Sequence, residues 1–364
     1  MKAAILYETN QPLVIEEVEL DPPKKGEVHV KIGAAGVCRS DLHFMHGDAI
    51  IQTPAILGHE GAGTVIDVGE GVTSVKPGDD VILSFVPNCG RCPYCLTGRA
   101  NLCDLHGATS GTLFDGTNRL HIGDQYITPM GKVGCFAQEA VVPETGCILL
   151  PKGFPLPQAA LIGCSVTTGV GAAMYNAEIT PGSTVAVFGV GGVGLNVIQG
   201  ARLLGASKII AVDIHQSKLE FASKFGATNT VDASTGDPVA KVKELTDGLG
   251  ADYTFEVFGS SETVLNAYHS VKKGGQVIIV GIAPVTATAA IDPVSLVRFE
   301  RTVKGCYYGS ARPNIDMPTM VTLYKSGQID IDGLITREYS LDEINQAYKD
   351  IDTTEIGRGV ITKF

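Results

Sequence analysis

The chain is predicted to be a two-domain α/β protein, in which a doubly wound parallel sheet is joined to a mainly β region. Three observations predict this. At 364 residues it exceeds what one hydrophobic core ordinarily supports. Residues 1–150 read as short β segments punctuated by Gly and Pro. From residue 184 onward, apolar strands alternate with amphipathic helical stretches, a pattern that demands parallel strands with helices on both faces.

In the first half the expected strands are 3–7, 27–35, 61–68, 80–83 and 137–142, with no helix-length pattern between them. In the second half strands are expected at 184–189, 208–213, 228–231, 252–257 and 276–281, and helices at 193–204, 218–225, 238–246 and 262–271. Residues 301–309 supply a further strand, 318–326 and 341–351 two helices, and 359–364 a closing strand that returns to the first domain. The stretch 106–134 has turn signals at Asp115-Gly116 and Gly123-Asp124 but no periodicity. It reads as an excursion that shapes an active-site entrance or a subunit contact.

Composition narrows the partners. With no tryptophan and few aromatic residues the chain lacks stacking platforms for single-stranded nucleic acid. A net charge of −11 opposes both nucleic acid and anionic membranes, leaving small molecules. Nine cysteines is an odd number for a disulfide framework, and residues 1–10 lack a basic segment followed by an apolar one. A cytoplasmic protein with reduced thiols is expected. No apolar run reaches the roughly 18 residues that cross a bilayer.

Cys89, Cys92, Cys95 and Cys103 form C-x2-C-x2-C-x7-C, with Gly90, Pro93 and Gly98 allowing tight turns between them. Four thiolates suit tetrahedral Zn²⁺ and leave no open position, so this set is expected to stabilise the fold. The rival, an iron–sulfur cluster, would close with C-x3-C-P, whereas here the last gap is seven and Asp104 follows.

Gly189, Gly191 and Gly194 satisfy G-x-G-x-x-G, with Gly192 and Val193 between them, after an apolar strand and at the start of a helix. That context lets the backbone approach a pyrophosphate at the positive helix end. Asp213 ends the next strand, where it can accept from ribose hydroxyls. It also disfavours a 2′-phosphate, since like charges about 4 Å apart cost roughly 4 kcal/mol at an effective dielectric near 20. NAD is therefore expected over NADP. Three further stretches, 36–43, 58–60 and 163–165, offer two thiolates and an imidazole, in Cys38, Cys164 and His59. Such a set leaves a fourth zinc position open. Cys135, Cys147 and Cys306 lie outside both sets and are expected to be packed thiols.

With these stretches, the four-cysteine lobe and the glycine fingerprint in this order, the chain resembles the zinc-dependent alcohol dehydrogenases of the medium-chain dehydrogenase/reductase family over its full length. The resemblance implies a GroES-like catalytic domain at 1–165 with a structural zinc lobe at 86–106, a Rossmann domain at 166–306, and a return to the catalytic domain at 307–364. It implies that Cys38, His59 and Cys164 hold a catalytic zinc, with Glu60 just behind it and Asp41 on the second nitrogen of His59. Ser40 and His43 match a proton relay that runs through the nicotinamide ribose hydroxyl. Arg39 would contact the pyrophosphate, Lys218 the adenosine ribose, Thr168 and Val193 the nicotinamide side, and Arg358 a second phosphate. Phe85 and Ile282 would line the substrate pocket, Ile282 also bordering the cofactor.

The activity so implied is reversible hydride transfer to NAD from a primary alcohol (aliphatic, aryl or terpenoid) or a secondary one, giving an aldehyde or ketone, with two zinc ions per chain. A thiol-dependent formaldehyde dehydrogenase is the alternative. Residues 106–134, with the run 111–117, are similar to a bacterial branch whose members retain NAD as a prosthetic group, so exchangeable and retained cofactor both stay open. A homodimer or homotetramer is implied, with the strand at 301–309 pairing across a two-fold axis.

Overall fold

The computed structural model describes residues 1–352 and 357–364. The chain divides into two compact units, one of residues 1–164, 312–325 and 331–364 and the other of residues 165–311 and 326–330. The expected switch points were 165/166 and 306/307. The second falls later because residues 305–311 are tied to the segment just after the first switch. Asn176 donates to the Gly305 carbonyl (3.1 Å) and to Ser310 Oγ (2.8 Å), and Gly171 lies flush against the Gly309 backbone. Residues 326–330 join the second unit through Gln199, which accepts from the Asp330 N–H (2.6 Å) and donates to its carbonyl.

The second unit is a six-stranded parallel sheet in the order Asn229–Asp232, Lys208–Asp213, Thr184–Phe188, Ala251–Glu256, Val271–Ile279, Thr302–Gly305. Strand order reverses at Thr184–Phe188, the switch point where such sheets bind ligands beyond their carboxyl ends. The helices Gly192–Leu203, Gln216–Phe225, Pro238–Glu244 and Ser261–Ser270 fall within two residues of expectation at every end. The reason is local chemistry: Asp237 and Ser260 accept from the free N–H groups that begin two of them.

The first unit is built on antiparallel strands. Gly61–Val68 and Asp80–Leu83 stand as expected, and Glu27–Gly36 pairs with Gly61–Val68, Glu139–Pro143 and the closing strand Arg358–Lys363. The closing strand thus returns to the first unit, with Val360 opposite Gly36. The core is a continuous apolar cluster that includes Ile5, Leu6, Ile56, Leu57, Leu83 and Phe136.

Several elements depart from expectation. The helix expected at 318–326 runs Pro313–Lys325: Pro313 begins it, and Pro318 lies inside, forfeiting one backbone bond. Helix Arg39–His46 was not foreseen; at eight residues it is about two turns long, too short to stand out by period. Nor was the helical run Leu156–Ala177, which is long and apolar enough to cross a bilayer by length and composition. Its most apolar window is 83% buried inside the protein, so it is a core helix. The stretch 106–134 is structured. Leu120–Ile122 and Gln125–Tyr126 form a small sheet with Glu19–Leu20, and Thr128–Pro129 pairs with Ala55–Ile56. Strands of two or three residues are too short to show a period.

One buried ion cluster anchors this stretch. Arg119, 2% exposed, donates to both oxygens of Glu27 (2.9 Å from Nε to Oε2) and to Asp115 Oδ2 at 2.8 Å. Removing one partner of a buried pair strands the other charge. Arg119→Ala is therefore expected to lower unfolding stability by about 3 kcal/mol. Chemical denaturation would measure this, and limited proteolysis should first open residues 106–134.

Candidate active site

Two clusters of metal-type donors stand in the first unit. Cys89, Cys92, Cys95 and Cys103 bring their sulfurs within 4.8 Å of one another. Gly90 and Gly98 adopt positive φ of 67° and 78°, supplying the turns, and Pro93 opens the short helix between Cys92 and Cys95. Backbone N–H groups of Cys89 and Cys92 donate to the sulfurs of Cys103 (3.2 Å) and Cys89 (3.3 Å). N–H bonds from Cys95 and Asp104 pull the Cys92 thiol down to about 6. Such bonds stabilise thiolates, and the four sulfurs have the donor chemistry and spacing of a closed tetrahedral site.

The second cluster is Cys38, His59, Glu60 and Cys164, all buried and with donor atoms within 4.8 Å. They come from three separate pieces of backbone. Cys38 is the extended residue preceding helix Arg39–His46, and His59 and Glu60 precede strand Gly61–Val68. Cys164 lies in the π-helical turn Ile162–Val166, whose extra residue re-aims side chains within a helical run. His59 Nδ1 donates to Asp41 Oδ1 at 3.2 Å, which leaves Nε2 as the free lone pair. Phe85 stands edge-on to the His59 ring, 5.1 Å between centroids.

The charges in this pocket are interdependent. A hydrogen bond from Cys164 pulls the Cys38 thiol well below its ordinary pKa, while donating that proton drives Cys164 well above it, so the pair resists losing both protons. Burial disfavours the His59 cation, yet Asp41 and Cys38 beside it raise its pKa well above the ordinary value. Burial pushes the Glu60 carboxyl up to about 7 against the opposing pull of Arg358. A divalent cation would satisfy two sulfurs and a ring nitrogen at once, and this donor set fits a zinc site with a position left open.

Arg358 differs from expectation. Implied as a phosphate contact, it is 6% exposed and donates instead to Glu60 Oε2 (2.6 Å) and the Val37 carbonyl (3.0 Å). The closing strand carries it behind the pocket. Gly36 makes room, since a Cβ there would lie 2.1 Å from Glu60 Oε2.

Ser40 and His43 sit one turn apart on helix Arg39–His46. Ser40 Oγ lies 3.6 Å from Cys38 Sγ, and His43 Nδ1 faces Asp48 Oδ2 at 3.4 Å. Asp48 was not singled out from sequence, although it lies only five residues beyond His43. Arg39 is exposed, its guanidinium near the Ile351 carbonyl (3.4 Å).

In the second unit the glycine fingerprint lies at the carboxyl edge of the sheet. Gly191 precedes helix Gly192–Leu203, and a Cβ on it would meet nothing within 4 Å, which leaves its face open to a ligand. Asp213 accepts from the Val190 N–H (3.0 Å) and its own His215 N–H (3.1 Å), tying the fingerprint to the next strand. Lys218 is half-buried on helix Gln216–Phe225, Val193 half-buried in the first turn of its helix, and Thr168 buried in Thr167–Gly171. Ile282 is exposed just past strand Val271–Ile279. Sequence reasoning missed Glu256. Fully buried at the end of Ala251–Glu256, it accepts from the N–H groups of Phe258 (2.9 Å) and Gly259 (2.7 Å) and from Thr263 Oγ1. The signal was the one that marked Asp213, an acidic residue closing an apolar strand. Cys135, Cys147 and Cys306 are buried thiols, as expected.

These two sites, on these two folds, define a zinc-binding medium-chain dehydrogenase. Residues 24–152 match the alcohol dehydrogenase GroES-like domain and residues 192–326 the zinc-binding dehydrogenase domain. The chain belongs to the zinc-type medium-chain alcohol dehydrogenase family. It is 43% identical to the NDMA-dependent alcohol dehydrogenase of Amycolatopsis methanolica, over 99% of this chain and 98% of that one. Among solved structures it is similar to benzyl alcohol dehydrogenase from Acinetobacter calcoaceticus (TM-score 0.94, 32% identity, covering 100% of this chain and 99% of that one). It is also similar to the alcohol dehydrogenase TADH from Thermus sp. ATN1 (TM-score 0.87, 27% identity, full coverage of both).

The fingerprint yields a sharp test. A Cβ on Gly194 would stand 2.0 Å from the Gly189 carbonyl oxygen, so Gly194→Ala must push the loop away from the helix. The variant is expected to lose dinucleotide affinity by about 100-fold, a 2.7 kcal/mol effect, measured by calorimetric titration with NAD.

Proposed function

We propose that this chain is an NAD-linked, zinc-dependent alcohol dehydrogenase that interconverts small alcohols with their aldehydes or ketones. The observation that carries the reading is the buried cluster of Cys38, His59 and Cys164, with Glu60 behind it. When bound, zinc supplies Lewis acidity to an alcohol hydroxyl, and the nicotinamide supplies the hydride acceptor.

Cys38, His59 and Cys164 hold the catalytic ion, and Asp41 fixes the ring of His59 so that Nε2 faces it. Ser40 Oγ, beside Cys38, receives the hydroxyl proton, and His43, steadied by Asp48, delivers it to solvent. Glu60 and Arg358 keep the rear of the pocket electrically matched. Phe85 gives the substrate an apolar wall beside His59. Asp213 and Lys218 hold the adenosine ribose, and Thr168 and Val193 the nicotinamide side. Asp213 selects NAD over NADP by charge. The four-cysteine lobe holds a second, structural zinc.

Metal analysis is expected to give about two zinc per chain. Cys38→Ser should retain the fold with about one zinc and lose activity by at least 100-fold, whereas Cys92→Ser should chiefly lose stability. A folded wild-type protein with less than one zinc would overturn the assignment.

A second reading concerns the cofactor, and it is favoured by a relative at 43% identity being named for dependence on NDMA. In that reading the dinucleotide stays bound through turnover. Absorbance near 340 nm (about 10 nm either way) that follows the purified protein and changes with alcohol alone supports it; strict dependence on added NAD supports exchange. The edge strand Thr302–Gly305, paired on one side only among the described residues, supports a homodimer or homotetramer. A cytoplasmic location, where thiols stay reduced, accords with six of the nine cysteines lying in the two metal-type clusters.

A further inference from the structure

Helix Ile344–Asp352 turns one face inward: Ile344, Ala347 and Tyr348 are all buried, at spacings of three and four. Ile344 and Ala347 need only apolar neighbours. Tyr348 also carries a hydroxyl into the interior at 3% exposure, and that hydroxyl has no closed hydrogen bond. Its ring is held edge-on against Phe136, 6.0 Å between centroids, so it cannot swing to solvent.

A complementary orphan lies opposite. Asp41 is fully buried, and its Oδ1 accepts from both the Gly58 N–H (3.1 Å) and His59 Nδ1 (3.2 Å). Its Oδ2 has no closed hydrogen bond. A buried carboxylate oxygen without a donor and a buried hydroxyl without an acceptor are each costly, because neither recovers the hydrogen bonds it had in water. The two orphans face each other. Burial first, and then the Asp41 carboxylate as charge and as acceptor, raise the phenol's pKa well above its ordinary value, which keeps it a donor. Among the described residues neither atom has another hydrogen-bond partner.

We propose that Tyr348 is a positioning residue for the catalytic metal ligand His59, its hydroxyl donating to Asp41 Oδ2 and completing a Tyr348–Asp41–His59 chain. This rests on the reading of Cys38, His59 and Cys164 as a zinc site. Asp41 bonded only through Oδ1 can pivot about that oxygen. A donor on Oδ2 fixes the plane of the carboxylate, and with it the direction in which His59 aims Nε2. Groups that orient a ligating histidine carry about 10–100-fold in metal affinity, and a group one link further out should carry less.

The experiment follows zinc release to a chromogenic chelator from the full-length protein, with thermal midpoints measured alongside. Tyr348→Phe keeps the ring against Phe136 and removes only the hydroxyl. Phe136→Leu loosens the same packing and keeps the hydroxyl. Cys38→Ser identifies the phase that belongs to the catalytic site. Tyr348→Phe is expected to accelerate that phase by roughly 3–10-fold while leaving the four-cysteine phase unchanged, and Phe136→Leu is expected to have the smaller effect. The proposal is overturned if Tyr348→Phe releases this zinc at the wild-type rate. It is also overturned if Phe136→Leu matches or exceeds it, since packing alone would then account for the effect. A wild-type protein without a phase that Cys38→Ser removes would instead defeat the zinc-site reading itself.

Discussion

Two sulfurs, an imidazole and a carboxylate with donor atoms within 4.8 Å of one another, all sealed from water, are tolerable only if each charge is answered by a neighbour. That requirement organises much of the first unit. Asp41 answers His59, Arg358 answers Glu60, and the two thiols share a proton. Meeting it takes backbone from four places: the segment before helix Arg39–His46, the turn before Gly61–Val68, the π turn Ile162–Val166, and the closing strand Arg358–Lys363. Gly36 is part of the same solution, because the carboxylate of Glu60 occupies the space where its side chain would be.

The second unit solves a related problem with one carboxylate at the end of each of the two strands that flank Thr184–Phe188. Asp213 and Glu256 close Lys208–Asp213 and Ala251–Glu256, and each gathers backbone N–H groups from the loop beside it. The difference is exposure. Glu256 is fully buried and shapes a turn, while Asp213 is partly open and has oxygen lone pairs left for a ligand's hydroxyls.

The parallel sheet was legible in the chain because its strands and helices are long enough to show a period. Both metal sets were legible too, since ligand spacing is a local property for Cys89 to Cys103 and a matter of residue type for Cys38, His59 and Cys164. What sequence could not show was pairing over long separations. The role of Arg358 depends on where a strand some 300 residues away leaves Glu60, and a guanidinium near the chain's end looks the same whether it meets phosphate or carboxylate. Residues 106–134 were opaque for another reason: their order comes from Arg119 meeting Glu27 and from Lys132 reaching the Thr112 carbonyl, not from any repeating pattern. Helix Leu156–Ala177 was missed because it is apolar on all sides, so no face stands out.

The closing strand has a bearing on biogenesis. Synthesis proceeds from the amino end, and domains acquire structure as they emerge. Cys38, His59 and Cys164 are all made well before Arg358, so a nascent chain carries the ligands without the guanidinium that balances Glu60. The four-cysteine lobe has no such dependence on the closing strand, since among the described residues the hydrogen bonds to its sulfurs come from within residues 89–104. The lobe is therefore ready for its ion while the ribosome is still at work, and the buried pocket reaches its finished electrostatics only after the final strand has docked.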